Sequence, residues 1–111
     1  MLFRSIGQGR LAEAEQQLRH ALDGAPDHPL VRTNLGLALF RQGRVEEAIA
    51  EYHRVLAHDP NFVDAHVYLA DALLAKGDRA AALAHLETAM RLQPHAVDIR
   101  QKYEQLQSNR P

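Results

Sequence analysis

The chain has 111 residues, of which 46% are hydrophobic and 24% are charged, so it can bury the core of one compact domain. Its formal net charge of −1 lacks the basic excess by which nucleic-acid-binding proteins release counterions from phosphates. The absence of cysteine excludes disulfides and thiolate metal sites, and no apolar stretch approaches the roughly 18 residues of a membrane span.

Comparison of the chain with itself shows a repeat with a period of 34 residues. Glycines, prolines, small residues and large apolar residues all recur at this interval. The sets are Gly9, Gly43 and Gly77; Pro26, Pro60 and Pro94; Ala14, Ala48 and Ala82; Leu22, Leu56 and Met90; and Leu18, Tyr52 and Leu86. A fixed interval of this length is typical of stacked supersecondary units.

Within each period the apolar residues have helical spacing, which predicts pairs of helices separated by the recurring glycine. We expect a helical stub over 1–8 and helices near 10–23, 29–42, 45–58, 63–76, 79–92 and 96–108. The glycine can adopt the left-handed conformation that ends a helix, and the proline stops the second helix of each unit. Asp27, Asn61 and Asp78 are predicted N-caps, with His95 a weaker one. Because the connections are short, consecutive helices should pack antiparallel.

Small residues are expected where two helices approach each other closely. The predicted positions within units are Gly36 with Ala48 and Ala70 with Ala82, and those between units are Ala21, Val55 and Ala89. A large residue at Ala48 or Ala82 would overpack the contact, at a cost of about 1–3 kcal/mol.

The pattern resembles the tetratricopeptide repeat, a family with this period and with Trp, Leu-Gly, Tyr, Ala, Phe and Pro at set places. The matching residues are Leu35-Gly36, Leu39, Ala48, Tyr52 and Pro60 in one unit, and Leu69-Ala70, Leu73, Ala82, Leu86 and Pro94 in the next. Arg32 and His66 stand where the family has Trp. The resemblance implies an all-α fold, a right-handed α-solenoid of antiparallel helix pairs.

The resemblance divides the chain into a domain over 1–107 and a disordered tail over 108–111. The domain consists of a partial repeat over 1–28, repeats over 29–62 and 63–96, and a capping helix over 97–107. The pentatricopeptide repeat, whose members bind RNA, is disfavoured by its period of about 35 residues and by the missing basic excess. Arginine outnumbers lysine 11 to 2, which suggests a GC-rich genome. We expect the source to be bacterial.

The two ends are predicted to differ. The last helix has one apolar stripe and is otherwise polar, as expected of a helix that caps an array; the stripe is Ala96, Ile99, Tyr103 and Leu106. At the start, the apolar face of Leu11, Leu18 and Leu22 has only the stub residues Leu2, Phe3 and Ile6 to cover it. The sequence leaves two interpretations open, truncation of a longer array and self-association through this end.

In the family that the chain resembles, the first helix of each unit lines an inner surface that binds partners. Transferring those positions gives a candidate partner-binding set of Leu30, Thr33, Asn34, Leu37, Phe40, Arg41, Val67, Asp71, Leu74 and Gln101, with Asp64, Asp98 and Gln105 beside it. We predict that the apolar members form the floor of a peptide-binding groove; these are Leu37, Phe40, Val67 and Leu74. The alternative is that part of this set only packs between helices.

Three aspartates on these helices could make the groove acidic and favour a partner that carries Lys or Arg. Asp64 and Asp98 lie in first helical turns, where the helix dipole favours a carboxylate in any case, so Asp71 is the more informative residue. Some family members grip a C-terminal carboxylate with Lys, Arg and Asn. Only Asn34 matches that pattern, so the resemblance does not extend to such a clamp.

No sequence feature predicts catalysis, a cofactor or a metal. The chain has seven histidines, but no two are three or four residues apart, as they are in zinc-binding helices. A phosphate-binding glycine loop is absent, and the two serines, Ser5 and Ser108, lie near the termini. The sequence therefore predicts a non-catalytic, cytoplasmic scaffold for a basic or apolar peptide segment or protein, with a self-associating module, such as a homodimer, as the alternative.

Overall fold

The computed structural model describes the backbone of residues 2–108 and the side chains of residues 9–108. This part of the chain forms six helices and no strand: α1 (Leu2–Gly24), α2 (Pro29–Arg41), α3 (Val45–His58), α4 (Val63–Ala75), α5 (Arg79–Leu92) and α6 (Val97–Ser108). The predicted bounds of α2 to α6 agree with these to within one residue at each end. Ser108 belongs to α6, and the rest of the predicted tail, 109–111, lies outside the described residues.

The first helix differs from the prediction. α1 runs without interruption through Gly9, so the predicted break between a stub and a second helix is wrong. Gly43 and Gly77 have φ angles of 83° and 93°, whereas Gly9 has no positive φ. Glycine permits the left-handed conformation but does not impose it. The segment that follows Gly9, Arg10 to Glu13, favours helix and continues the element.

Two tight turns reverse the chain between paired helices. The Gly43 N–H donates to Phe40 O at 2.9 Å, and the next N–H, of Arg44, donates to Leu39 O at 3.0 Å. The Gly77 turn repeats this arrangement, with donation from Asp78 N to Leu73 O at 2.8 Å. Both turns satisfy the last carbonyls of a helix, as in a Schellman motif, and bring the next helix back antiparallel.

The helix N-termini confirm one predicted cap and correct two. Asp78 Oδ1 accepts from Ala81 N at 3.1 Å, as predicted. Asp27 and Asn61 are not caps, because α2 and α4 begin one residue too late for them. The cap of α2 is His28, whose Nδ1 accepts from Val31 N at 3.3 Å, and Phe62 precedes α4 without a side-chain cap.

Each helix packs against the next one along the chain, and α2 also contacts α4. Consecutive hairpins therefore stack with their first helices side by side, which confirms the predicted all-α solenoid of antiparallel helix pairs. The buried core runs through the stack rather than around one centre, from Leu22 of α1 to Leu106 of α6.

Small residues permit the close helix contacts, as predicted. A Cβ atom on Gly36 would lie 2.4 Å from Tyr52 Cε1, so α2 and α3 meet around this glycine. Ala48, Ala70 and Ala82 are buried. Between units, Val55 and Ala89 are buried as expected, whereas Ala21 is exposed. The prediction for Ala21 is wrong because α1 is the end of the stack and has α2 as its principal neighbour.

The positions where the family pattern has Trp hold a repeated polar contact instead. Arg32 Nη2 donates to Pro26 O at 2.8 Å, and Arg100 Nη2 donates to Pro94 O at 2.8 Å. Between them in sequence, His66 Nε2 lies 2.7 Å from Pro60 O. Each side chain thus bonds the carbonyl six residues before it, which ties the start of a first helix to the preceding loop.

In two of the units, the side chain that bonds this carbonyl also contacts a residue of the following helix. Arg32 forms a salt bridge with Glu51, and the side chains have exposed fractions of only 15% and 11%. At the positions one period later, His66 Nδ1 lies 3.1 Å from His85 Nδ1. An ion pair and a histidine pair therefore occupy the same site in successive repeats.

The tautomers of the histidine pair follow from its partners. A carbonyl can only accept, so His66 Nε2 carries a proton toward Pro60, and Nδ1 of a neutral His66 is left to accept from His85 Nδ1–H. Burial lowers the pKa of His85, and the nearby His66 and His53 lower it further. Protonating both rings would point two N–H groups at each other.

We expect folding stability to fall as the pH is lowered from about 7.5 to 5.5. The folded pKa of His85 is below its ordinary value, so the unfolded chain takes up the proton first, and the stability present at higher pH is lost on acidification. Urea unfolding across this range measures the effect. The double variant His66→Arg, His85→Glu reproduces the Arg32–Glu51 pair in this repeat and should reduce the pH dependence of folding stability. His20→Gln, at an exposed position on α1, should leave that dependence unchanged.

α6 occupies the position of a first helix in the repeat, but some of its side chains differ in polarity from those at the equivalent positions of α4. Ile99 and Leu106 are buried, and Ala96 and Tyr103 pack partly buried against the core, so the predicted apolar stripe is confirmed. Glu104 and Gln107 are exposed where α4 has the buried Ala70 and Leu73. These polar residues disfavour packing of a further helix against that face of α6.

At the other end the apolar face is better covered than predicted. Leu22 is buried and Leu18 packs partly buried against the core, although Leu11 is only half-buried. A polar network helps to hold α1 in place, because Glu15 Oε1 accepts from Arg44 Nη1 at 2.7 Å and from Gln42 Nε2 at 3.1 Å. The face was predicted to be incompletely covered, which holds for the half-buried Leu11 and Leu18 but not for the buried Leu22. The stub side chains that were expected to cover it, Leu2, Phe3 and Ile6, lie outside the described side chains.

Candidate functional site

Three recesses lie along the face formed by α2, α4 and α6. The aromatic pocket, of about 290 Å³, is lined by Leu37, Phe40, Arg41, Tyr52, Tyr68 and Asp71. The C-terminal pocket, of about 320 Å³, includes Ala70, Asp71, Leu74, Leu86, Lys102 and Gln105. The acidic pocket, of about 270 Å³, includes Asp64, Val67, Tyr68, Gln93, Asp98 and Lys102.

The three recesses form one continuous surface, which we call the groove. Asp71 lines both the aromatic and the C-terminal pocket, Tyr68 lines the aromatic and the acidic pocket, and Lys102 lines the acidic and the C-terminal pocket. The three recesses therefore adjoin one another. Because the groove is built from helices held in place by the buried core, its side chains are positioned before a partner arrives.

The structure brings most of the predicted binding residues to this groove. All four residues of the predicted apolar floor line a pocket, and so do Arg41 and Asp71; the four are Leu37, Phe40, Val67 and Leu74. Phe40 and Val67 also pack partly buried against the core, so both open interpretations of the apolar set hold in part. Leu30, Asn34 and Gln101 are exposed but line none of the three pockets.

Thr33 does not belong to the groove surface. Its exposed fraction is 0%, and its hydroxyl donates to Pro29 O at 2.7 Å, four residues earlier in the same helix. The prediction that it contacts a partner is wrong, because the neighbouring helices cover its face of α2.

Asp71 is not a free acidic group. Lys102 Nζ lies 2.9 Å from Asp71 Oδ1 and 2.8 Å from Oδ2, which links α4 to α6 across the groove. The residue that best supported an acidic groove is thus neutralised by a lysine from the last helix. Asp64 and Asp98 still face the acidic pocket, so negative charge is confined to one part of the groove.

The aromatic and C-terminal pockets are related by the repeat. Moving one period along the chain converts the aromatic lining of Leu37, Phe40, Tyr52 and Tyr68 into Asp71, Leu74, Leu86 and Lys102, all of which line the C-terminal pocket. Equivalent positions therefore present mainly aromatic side chains in one repeat and aliphatic and charged side chains in the next. Successive pockets therefore differ in the chemistry of their linings.

Sequence reasoning did not place Tyr68, Lys102 or Gln93 in the binding set. Tyr68 and Lys102 occupy the same repeat position, one period apart, on α4 and α6, so comparing first helices at that position could have found both. Gln93 follows α5 in a connection, where helix periodicity gives no information about direction.

The floor of the aromatic pocket has an unusual polar atom. The Tyr52 hydroxyl is buried and has no hydrogen-bond partner among the described residues. The Tyr52 and Tyr68 rings stack with centroids 6.3 Å apart and an interplanar angle of 26°. Burial raises the pKa of Tyr52 well above its ordinary value, and Tyr68 and Asp71 raise it further, while Arg41 lowers it. The hydroxyl therefore stays protonated and can act as a donor.

Among the described residues, 2–108, no group of three or more His, Asp or Glu side chains is arranged to hold a metal ion. No helix in the same range combines the length and the apolar character needed to cross a membrane.

Comparison with known families identifies the class of protein. Two models described as tetratricopeptide repeat match residues 39–106 and 6–61. The chain therefore belongs to the tetratricopeptide repeat family, as its 34-residue period predicts.

Individual proteins with similar sequences are much longer than this chain. It is 35% identical over 79 residues to a TPR repeat-containing thioredoxin of Arabidopsis thaliana, covering 71% of the chain and 12% of that protein. It is 38% identical over 80 residues to the peroxisomal targeting signal receptor of Eremothecium gossypii, covering 72% of the chain and 14% of the receptor. The chain thus spans about a seventh or less of either relative.

The fold also matches solved structures. The TPR2B domain of yeast Sti1 in complex with an Hsp70 peptide is 25% identical with a TM-score of 0.83, and the match covers 96% of this chain and 90% of that domain.

Proposed function

We propose that the chain is a non-catalytic scaffold that binds a peptide segment or partner protein in its groove. The observation that supports this most directly is the continuous groove itself. Three adjoining recesses have partly accessible apolar side chains at Phe40, Val67 and Leu74, next to polar and charged side chains. Apolar recesses with a few polar groups are typical of sites that anchor side chains of a partner.

Two similar proteins support the same proposal. The yeast Sti1 domain, which has this fold, was solved in complex with an Hsp70 peptide. The relative from Eremothecium gossypii is named a targeting signal receptor. Both names describe recognition of another polypeptide, and neither is a reason to propose chemistry on this chain.

The test is a pair of substitutions in two repeats of the groove. Phe40→Ala and Leu74→Ala should each weaken binding of a captured partner, by about tenfold or more if these residues are the anchors of the interface. Capture on immobilised protein followed by titration measures the loss. Val97→Ala is the matched control, because Val97 is 65% exposed and lines none of the three pockets.

Unchanged affinity in the Phe40→Ala, Leu74→Ala double variant, with helicity retained, would place the partner on another surface. Light scattering at several concentrations tests the alternative that the partner is a second copy of this chain. A constant monomer mass would remove that alternative.

A further inference from the structure

One polar atom in the groove is buried without a partner in the fold. Tyr52 has an exposed fraction of 0%, and its hydroxyl makes no hydrogen bond to any described residue. Tyr52 lines the aromatic pocket together with Tyr68, Asp71 and Arg41. The unpaired hydroxyl therefore belongs to a side chain that forms part of the pocket wall. Leaving a buried hydroxyl unpaired is costly, so a bound group that pairs with it gains affinity.

The charges around the pocket favour an anion. Arg41 is exposed at its edge and has no salt bridge among the described residues. Asp71 is the one acid in the lining, and Lys102 holds both of its oxygens. Arg41, Asp71 and Lys102 together leave one positive charge, which attracts a negatively charged group.

The remaining lining is mainly apolar. Leu37 and Phe40 from α2 and the ring of Tyr68 from α4 line the same space as Tyr52. The pocket therefore combines apolar walls with a hydroxyl donor at its floor and a guanidinium at its edge. A side chain with methylene groups and a terminal carboxylate complements each of these features.

We propose that the aromatic pocket binds a glutamate side chain within the partner segment. Its carboxylate accepts a hydrogen bond from the Tyr52 hydroxyl and pairs with Arg41, and its methylenes contact Leu37 and Phe40. This inference rests on the proposed function, since it names which side chain of the bound segment enters which part of the groove.

The other two pockets do not share this chemistry. In the C-terminal pocket Leu86 replaces Tyr52, and Ala75 stands at the position of Arg41, so both donors are missing. The acidic pocket presents Asp64 and Asp98, which repel a carboxylate. One recess of three accepts a glutamate, so the glutamate sets the register of the segment along the groove.

A positional library of ten-residue peptides tests the proposal without a known partner. Both ends of each peptide are blocked, so a terminal carboxylate cannot contribute. We expect the wild-type protein to select glutamate over glutamine at one position. In fluorescence anisotropy, the selected peptide should bind about tenfold more tightly than its glutamine counterpart, as expected when a charge-assisted hydrogen bond is removed.

Two variants test the assigned residues. Tyr52→Phe and Arg41→Gln should each bring the glutamate-to-glutamine affinity ratio close to one. Arg91→Gln, which removes an exposed arginine of α5 outside the groove, should leave the ratio unchanged. In urea, Tyr52→Phe should unfold at the same or a higher midpoint than the wild type, because it removes an unpaired buried hydroxyl.

The outcomes separate this inference from the proposed function. Peptide binding without a glutamate preference, or a preference that survives Tyr52→Phe or Arg41→Gln, would overturn the inference and leave the groove function standing. A clearly lower urea midpoint for Tyr52→Phe would also overturn it, since the hydroxyl would then have a partner in the fold. If the wild type retains no peptide from the library, both the inference and the proposed function fail.

Discussion

Replacing Glu51 with alanine is expected to destabilise the fold by about 3 kcal/mol, because it leaves the Arg32 guanidinium buried without its counterion. The exposed fractions of the two side chains are 15% and 11%, so water cannot replace the lost carboxylate fully. Arg32 keeps its hydrogen bond to Pro26 O, which limits the loss. Urea unfolding at neutral pH measures the change in free energy.

A solvent-exposed ion pair provides the control for this prediction. Lys76 Nζ and Glu46 Oε1 are 2.8 Å apart, but their side chains are 51% and 69% exposed. Glu46→Ala should therefore change stability by less than about 1 kcal/mol. Equal effects at the two sites would show that the burial of the Arg32–Glu51 pair does not matter energetically.

Gly36→Ala is the second substitution with a large expected effect. The added methyl would lie 2.4 Å from Tyr52 Cε1 and 2.9 Å from Cζ, and the Tyr52 side chain is fully buried. Overpacking of this kind costs about 1–3 kcal/mol. Alanine is favoured over glycine inside a helix by about 1 kcal/mol, so a net loss of stability requires the clash to outweigh that gain.

The next repeat shows how the clash can be relieved. There the same two positions hold Ala70 and Leu86, both buried. Tyr52→Leu combined with Gly36→Ala reproduces that pair and should recover most of the stability lost in Gly36→Ala. A double-mutant cycle in urea measures the coupling. A Gly36→Ala variant more stable than the wild type would contradict the proposed packing of α2 on α3.

The sequence determined the repeat, the number of hairpins and the bounds of α2 to α6. These features follow from local physics: apolar side chains at helical spacing bury one face of each helix, and a left-handed glycine at Gly43 and Gly77 reverses the chain. The same reasoning wrongly predicted a helix break at Gly9, because a glycine allows a turn without requiring one. It also placed caps at Asp27 and Asn61, since composition alone does not fix a helix start to one residue.

The groove was predicted in outline, and its chemistry was not. The four residues of the predicted floor each line one of the three pockets, and they lie on the first helices of their units; they are Leu37, Phe40, Val67 and Leu74. Asp71 and Lys102 are 31 residues apart in the sequence, and their pairing depends on how α6 lies relative to α4. Only packing sets that arrangement, so no local pattern could reveal that the charge of Asp71 is neutralised.

Tertiary structure also decided which side chains the groove can use. Periodicity places Thr33 and Leu37 on the same helix, but the neighbouring helices bury the first and leave the second accessible. The histidine pair of His66 and His85 and the unpaired hydroxyl of Tyr52 likewise arise only when separate helices pack together. The sequence determined which helices form and in what order, because those choices are local. The stacking of the helices decided burial, pairing and charge, because these depend on atoms from several helices at once.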